Sequence, residues 1–251
     1  MRVLRRSVQR LVNGFGYQIV RNQSAREQTQ LQSIDPEFIE LYEKCQAFSS
    51  LGIGRLTDLY MAANYVIDRG VPGDFVECGV GMGGVGSLWA SVLARSSEDR
   101  GLYLFDTYEG APSPGVLDEF IGSSESAKER WQRIKNQTDW TQFTVQSIKS
   151  LIAASGLPSE QIHLVPGLVQ DTIPDHAPDK ISLLHLDTNY YDSTIHELRN
   201  LLPRLSKFGV LAIDDYGNLP GVKKAVDEYV ADTNMQLFFT THGTGRIAVN
   251  A

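Results

Sequence analysis

Residues 73–84 read GDFVECGVGMGG, a short apolar segment that leads directly into a run of glycines. Residues 75–78 have the length and apolar character of a buried strand. The glycines that follow allow a tight turn and a close approach of a ligand to the backbone. Gly79, Gly81 and Gly84 match the spacing G-x-G-x-x-G, which alone is a weak signal for nucleotide binding. A strand that ends in such a loop favours a doubly wound α/β fold.

The rest of the chain alternates short apolar segments with amphipathic ones, which predicts a largely parallel sheet covered by helices. Strands are predicted at 75–78, 102–105, 162–165, 182–186, 210–213, 237–241 and 246–249. Helices are predicted at 36–45, 56–68 and 222–230, with another one opened by Thr194-x-x-Glu197 as a capping box and ended near Gly209. We expect residues 35–251 to form one domain, preceded by a head and linker over residues 1–34.

Charge is spread unevenly over the 251 residues, whose net charge is −7. Residues 1–26 contain six arginines and no acidic residue, so the remaining chain has 17 basic side chains against 30 acidic ones. An acidic body argues against a nucleic-acid partner. The two cysteines, Cys45 and Cys78, have no metal-ligand or redox spacing and indicate reduced thiols in a cytoplasmic protein. No apolar run is long enough to span a bilayer.

The basic head has two interpretations. Wound as a helix, residues 1–20 place apolar side chains on one face and arginines outside it, as in helices that lie on anionic membranes. The alternative is a helix that docks on its own domain or on a second copy of the chain, in which case the protein would be a homo-oligomer. One short amphipathic segment is weak evidence, so we favour the docked helix.

Acidic residues at the ends of the first two strands indicate the cofactor. Glu77 lies beside the glycines, where a carboxylate would repel the pyrophosphate of NAD and attract the ammonium and sulfonium of S-adenosylmethionine. Asp106 ends the second strand, where an acid can accept hydrogen bonds from ribose hydroxyls. The alternatives are a structural turn with Glu77 in a salt bridge and a surface or helix-capping Asp106.

Three further acids follow the strands at 182–186 and 210–213, namely Asp187, Asp214 and Asp215. Adjacent parallel strands would bring these carboxylates into one crevice, where they repel unless a cation or protons intervene. An all-oxygen ligand set selects a hard ion such as Mg²⁺. Asp187 is then the candidate general base for an acceptor hydroxyl. The alternative is that these aspartates cap the helices that follow them.

Five stretches resemble the macrocin/mycinamicin O-methyltransferase family, which methylates sugar hydroxyls of macrolides. The stretches are GDFVECGVGMGG, LFDTYEGAP, PGLVQDTIP, LHLDTNYYDST and GVLAIDDYGNLPGVKKAVDEY. The resemblance implies a Rossmann-like class I methyltransferase sheet of order 3-2-1-4-5-7-6, here with an N-terminal helical extension, and Mg²⁺ on the three aspartates. It also implies cofactor contacts from the first loop and from two later segments, by Glu77, Gly79, Val80, Gly81, Gly84, Asp106, Thr107, Gln170 and Asp171.

The chain departs from that family at two places near the acceptor. Residues 108–161 contain no histidine, although family members carry one in the loop after the second strand, and Asn189 replaces an acid of the usual D-G-D motif.

From the motifs and the resemblance together, we expect a metal-dependent O-methyltransferase that moves the methyl group of S-adenosylmethionine to a free hydroxyl. The acceptor would be a sugar, a glycosylated natural product or a polysaccharide. The alternatives are an NAD-dependent sugar oxidoreductase and a non-catalytic S-adenosylmethionine-binding protein.

Overall fold

The computed structural model describes residues 35–119, 125–233 and 244–250. Contacts divide the chain into two compact units, Met1–Ile39 and Glu40–Ala251, and nearly all described residues belong to the second. The predicted head at residues 1–34 and the predicted strand at 237–241 lie outside the described residues.

The helices and strands alternate along the chain as the sequence predicted. The helices are α1 (Pro36–Cys45), α2 (Ile53–Asp68), α3 (Gly84–Arg95), α4 (Ala127–Gln137), α5 (Val145–Ala153), α6 (Val169–Thr172), α7 (Tyr191–Leu201) and α8 (Pro220–Thr233). The strands are β1 (Asp74–Cys78), β2 (Leu102–Asp106), β3 (Ile162–Pro166), β4 (Ile181–Leu186), β5 (Leu205–Ile213) and β6 (Arg246–Val249). Asp35 caps α1 as predicted, since its Oδ1 accepts the Glu37 N–H at 2.9 Å.

The strands form one sheet in the order β3-β2-β1-β4-β5-β6. The first five are parallel, and β6 runs antiparallel to β5. This arrangement confirms the predicted doubly wound α/β class. Strand β6 lies beside β5, the position that the predicted order assigns to the seventh strand.

The centre of the sheet is buried on both faces, as expected where helices cover a parallel sheet. Every residue of β4 is buried, and Trp89 of α3 packs edge-on against Phe75 of β1 with 5.5 Å between ring centroids. Trp89 also donates its indole N–H to the Leu59 carbonyl at 3.2 Å, which fixes α3 against α2. The strand ends that carry the site therefore rest on a rigid core.

The largest boundary differences from the prediction concern α7 and β5. Thr194 and Glu197 do not form a capping box, because α7 begins three residues earlier at Tyr191 and both side chains are buried within the helix. The predicted helix end near Gly209 is also wrong. The helix ends at Leu201, and β5 starts at Leu205. The half-buried Ser206 and the exposed residues 207–208 hide this start, because the apolar run typical of a buried strand begins only at Val210.

Within the described ranges, no helix is both long enough and apolar enough to cross a membrane.

Candidate active site

A cavity of about 600 Å³ opens at the carboxyl ends of the strands, where ligands bind in folds of this kind. Four parts of the second unit line it: the glycine loop (residues 79–84), the β2 loop (residues 107–119), residues 167–170 after β3, and the residues that follow β4 and β5. Ile134, Thr138 and Phe143 add a further wall beyond the β2 loop.

Asp106 fastens the glycine loop to the end of β2. Its Oδ2 accepts the backbone N–H groups of Val80 at 2.7 Å and of Gly81 at 3.0 Å. Its Oδ1 accepts the Tyr108 N–H at 2.8 Å. Asp106 lines the cavity, but the sequence did not indicate that its carboxylate also organises the loop.

Gly79 connects the glycine loop to the end of β4. It has a φ of +90°, and a Cβ atom there would lie 2.2 Å from the Asp187 carbonyl oxygen. Only glycine allows this approach. Gly84 serves packing, and its predicted cofactor contact stays a prediction. It does not line the cavity, and a Cβ on it would lie 2.7 Å from the Phe48 carbonyl oxygen, so it is needed for packing.

Glu77 lies beneath the glycine loop and does not line the cavity. The side chain is 1% exposed, and its Oε1 is 3.4 Å from Nδ1 of the equally buried His185. Burial raises the pKa of the Glu77 carboxyl, while His185 opposes that shift by favouring the ionised form. This position corresponds to the structural alternative, in which Glu77 pairs inside the fold. Any effect of Glu77 on cofactor binding would be transmitted through the glycine loop.

The remaining predicted cofactor residues are divided between the cavity and its surroundings. Thr107 and Gln170 line the cavity, and the Thr107 hydroxyl donates to the Gly110 carbonyl at 2.7 Å. Val80 is buried behind the lining, and Asp171 is exposed on α6 away from it.

Asp187, Asp214 and Asp215 converge as predicted, and we call them the aspartate cluster. One carboxylate oxygen from each lies within 4.8 Å of the others. Backbone hydrogen bonds continue past the strand ends, from Asp187 N–H to Cys78 O and from Asp214 N–H to Leu186 O, each at 2.8 Å. All three side chains line the cavity.

The environment of the cluster disfavours three ionised carboxylates. Burial, followed by the charges of Asp214 and Asp215, raises the pKa of Asp187 well above its ordinary value. Burial and Asp214 likewise raise the pKa of Asp215. A divalent cation would remove this repulsion, and oxygen ligands suit a hard ion. Among the described residues, this is the group of acids that could hold a metal.

Arg55 is a member of the site that sequence reasoning missed. It lies in the first turn of α2, lines the cavity, and its guanidinium donates to Asp214 Oδ1. The cluster and Arg55 together have a formal charge of −2, because one guanidinium offsets one of three carboxylates. A divalent ion would neutralise the remaining charge of −2. Arg55 and Asp214 are 159 positions apart, so no local sequence pattern could pair them.

The residues after Asp187 also face the cavity. Asn189 has a φ of +73°, and its side-chain N–H donates to the Asp187 carbonyl at 3.2 Å. Tyr190 lines the cavity beside it, and burial raises the pKa of its hydroxyl to about 12. Asn189 therefore stabilises the local turn, and Tyr190 remains a neutral hydroxyl at the cavity wall.

Comparisons with known proteins show which family the chain belongs to. The family model described as Macrocin-O-methyltransferase (TylF) matches residues 4–241, which include most of the basic head. The demethyldecarbamoylnovobiocin O-methyltransferase of Streptomyces niveus is 33% identical over 186 residues, covering 74% of this chain and 68% of that protein. The 8-demethyl-8-(2,3-dimethoxy-alpha-L-rhamnosyl)-tetracenomycin-C 4'-O-methyltransferase of Streptomyces olivaceus is 30% identical over 196 residues, covering 78% and 72%.

A solved O-methyltransferase structure is also similar to this chain. The O-methyltransferase NovP is similar with a TM-score of 0.70 and 29% identity, over 81% of this chain and 82% of that chain. These similarities argue against the NAD-dependent oxidoreductase alternative and make the cofactor S-adenosylmethionine. With the matched residues spanning both the glycine loop and the aspartate cluster, the chain belongs to the macrocin O-methyltransferase (TylF) family and is an S-adenosylmethionine-dependent O-methyltransferase.

Proposed function

We propose that this enzyme methylates a hydroxyl on the sugar of a glycosylated small molecule and that the aspartate cluster holds Mg²⁺. The observation that carries the proposal is the convergence of three carboxylates within 4.8 Å at a cavity that the glycine loop also lines. The names of two relatives support the acceptor class, since one acts on demethyldecarbamoylnovobiocin and the other on a rhamnosyl-tetracenomycin.

The cofactor would lie along the glycine loop and the end of β2. A carboxylate offers about four acceptor sites. Asp106 uses two on Oδ2 and one on Oδ1 for backbone amides. The Thr107 hydroxyl lies 3.4 Å from Oδ1, so a ribose hydroxyl would share the remaining acceptor site with it. Thr107 and Gln170 line the cavity near this position and would contact the rest of the nucleoside.

The acceptor hydroxyl would lie at the aspartate cluster. When bound, Mg²⁺ supplies a Lewis acid that makes a hydroxyl easier to ionise near neutral pH. Asp187 directly follows the central strand β4, its backbone meets Gly79 of the glycine loop and its carboxylate lines the cavity, so we assign it the proton released from the acceptor. The acceptor oxygen then forms a bond to the methyl carbon as the carbon–sulfur bond breaks, and the sulfonium becomes a neutral thioether.

Arg55 would limit the aspartate cluster to binding one divalent ion, because it offsets the charge of one carboxylate. It donates to Asp214 and leaves a formal charge of −2 at the site. It also directs an Asp214 oxygen towards α2, which limits the orientations that this carboxylate can take.

Methyl transfer to a defined set of glycosides tests the acceptor class. The set would contain demethyldecarbamoylnovobiocin, a rhamnosyl-tetracenomycin and 4-nitrophenyl α-L-rhamnopyranoside, each paired with the same compound lacking its sugar. We expect S-adenosylhomocysteine to form and the methyl group to appear on a sugar hydroxyl, with no product from the sugar-free partners. Equal methylation of the sugar-free compounds would contradict the proposal. Asp187→Asn is the matched inactive control.

A further inference from the structure

Asp118 is a buried carboxylate of the β2 loop that the mechanism above does not use. It is 6% exposed and lines the cavity. Its Oδ2 accepts the Gly115 N–H at 2.8 Å, and its own N–H donates to the Gly115 carbonyl at 3.2 Å. These two bonds close a tight turn in the loop at the edge of the cavity.

The same carboxylate caps a helix that begins 73 residues later. Asp118 Oδ1 accepts the N–H of Tyr191, the first residue of α7, at 2.8 Å. Tyr190, at the N-cap position, makes no side-chain capping bond. A carboxylate at a helix N-terminus satisfies an unpaired N–H and interacts favourably with the helix dipole. The β2 loop is therefore bonded to the start of α7.

A second helix start is packed against Asp118. Gly221 lies in the first turn of α8, and a Cβ atom there would lie 2.1 Å from Asp118 Oδ1 and 3.1 Å from the Tyr191 nitrogen. Real contacts are never this short, so only glycine allows α8 to approach. The β2 loop, α7 and α8 thus meet at a single carboxylate.

These three segments surround the reacting groups. Helix α7 follows Asp187, helix α8 follows Asp214 and Asp215, and the β2 loop lines the cavity that these aspartates share. We infer that Asp118 is a positioning residue for the acceptor, because it sets the distance between the β2 loop and the aspartate cluster. This inference rests on the proposed function, in which the acceptor occupies that part of the cavity.

Variants at two positions disturb the junction of the β2 loop, α7 and α8 at Asp118 from opposite sides, and each position has a matched control. Asp118→Ala removes both acceptors, and Asp118→Asn keeps one carbonyl oxygen for one of the two N–H groups. Gly221→Ala inserts a methyl group from α8. Asp175→Asn is the control for the acid, since Asp175 is an exposed residue that does not line the cavity. Gly52→Ala is the control for the glycine, because Gly52 precedes α2 with nothing within 4 Å of a Cβ.

The experiment measures KM and kcat with 4-nitrophenyl α-L-rhamnopyranoside and the affinity for S-adenosylmethionine by calorimetry. We expect Asp118→Ala to raise the acceptor KM by about tenfold or more, since two hydrogen bonds to a charged group are lost. Asp118→Asn should be intermediate and Gly221→Ala should change KM in the same direction. Cofactor affinity should stay within about twofold, because the glycine loop is held by Asp106. Both controls should behave as wild type.

An unchanged acceptor KM in Asp118→Asn and Gly221→Ala would overturn the inference, as would an equal loss of acceptor and cofactor binding, which indicates a general packing defect. Hydrogen–deuterium exchange separates this outcome from failure of the proposed function. If the wild-type enzyme methylates no glycoside, the proposed acceptor class is wrong. The amides of Gly115 and Tyr191 must still exchange faster in Asp118→Asn than in wild type, and unchanged exchange would refute the junction itself.

Discussion

Glu197 of α7 contributes to the pH dependence of folding stability, and a single substitution should remove that contribution. Its side chain is fully buried, and neither carboxylate oxygen has a hydrogen-bond partner within the described part of the chain. Burial raises the pKa of Glu197 from 4.5 to about 8, against the opposing effect of the nearby Thr188 hydroxyl. The folded protein therefore keeps Glu197 protonated at neutral pH, whereas the unfolded chain ionises it.

The sign and size of the effect follow from proton linkage. Above the unfolded pKa of 4.5 and below the folded pKa of about 8, the native state binds one proton more than the unfolded state. Stability therefore falls by roughly 1.4 kcal/mol for each pH unit in that window. The stabilisation is fully present below pH 4.5 and is lost as the pH rises to about 8. Over the whole window the loss is about 5 kcal/mol.

Glu197→Gln should flatten this dependence, because the amide does not ionise. We would measure urea unfolding at about pH 5 and about pH 8 for wild type, Glu197→Gln and the exposed-residue control Glu43→Gln. The difference in unfolding free energy between Glu197→Gln and wild type should shift by about 4 kcal/mol in favour of the variant across that range. The same pH slope in all three proteins would refute the assignment of a buried, protonated Glu197.

Three further predictions concern the site and the head. Glu77→Gln should weaken S-adenosylmethionine binding by about tenfold in calorimetry, since the contact of the buried carboxyl with His185 beneath the glycine loop is changed, and unchanged affinity would remove Glu77 from cofactor binding. Asp215→Asn should weaken Mg²⁺ and regain methyl transfer in excess Mg²⁺, whereas Asp187→Asn should not recover; equal rescue of both would remove Asp187 as the base. If the head is a membrane anchor, the intact protein should sediment with anionic vesicles at low salt and dissociate from them at high salt. A protein that does not sediment with vesicles at low salt would favour the docked helix.

The sequence predicted the strands and the aspartate cluster well, because both follow from local patterns. Short apolar runs mark buried strands, and acids at the ends of adjacent parallel strands must meet at one edge of the sheet. The strand at 246–249 was confirmed at its predicted bounds. The convergence of Asp187, Asp214 and Asp215 was likewise confirmed as a geometric prediction, while their metal remains a prediction.

The residues that sequence reasoning missed act across long separations. Arg55 and Asp214 are 159 positions apart, and Asp118 and Tyr191 are 73 apart, so no local pattern could pair them. Glu197 shows a different error. A Thr-x-x-Glu pattern predicted a helix cap, but burial of both side chains outweighed that preference, and the helix begins three residues earlier. Glu77 was predicted to contact the cofactor from its charge; the fold buries it beside His185, and its role in cofactor binding stays a prediction.

Methyl transfer from S-adenosylmethionine to a glycoside, measured with and without a strong chelator, tests the central claim most directly. The aspartate cluster and Arg55 leave a formal charge of −2 beside the acceptor, which one divalent ion would balance. We expect the chelator to abolish transfer, Mg²⁺ to restore it, and S-adenosylmethionine affinity to change little throughout. Full activity in the chelator would contradict the account, since the three aspartates would then have no role as metal ligands.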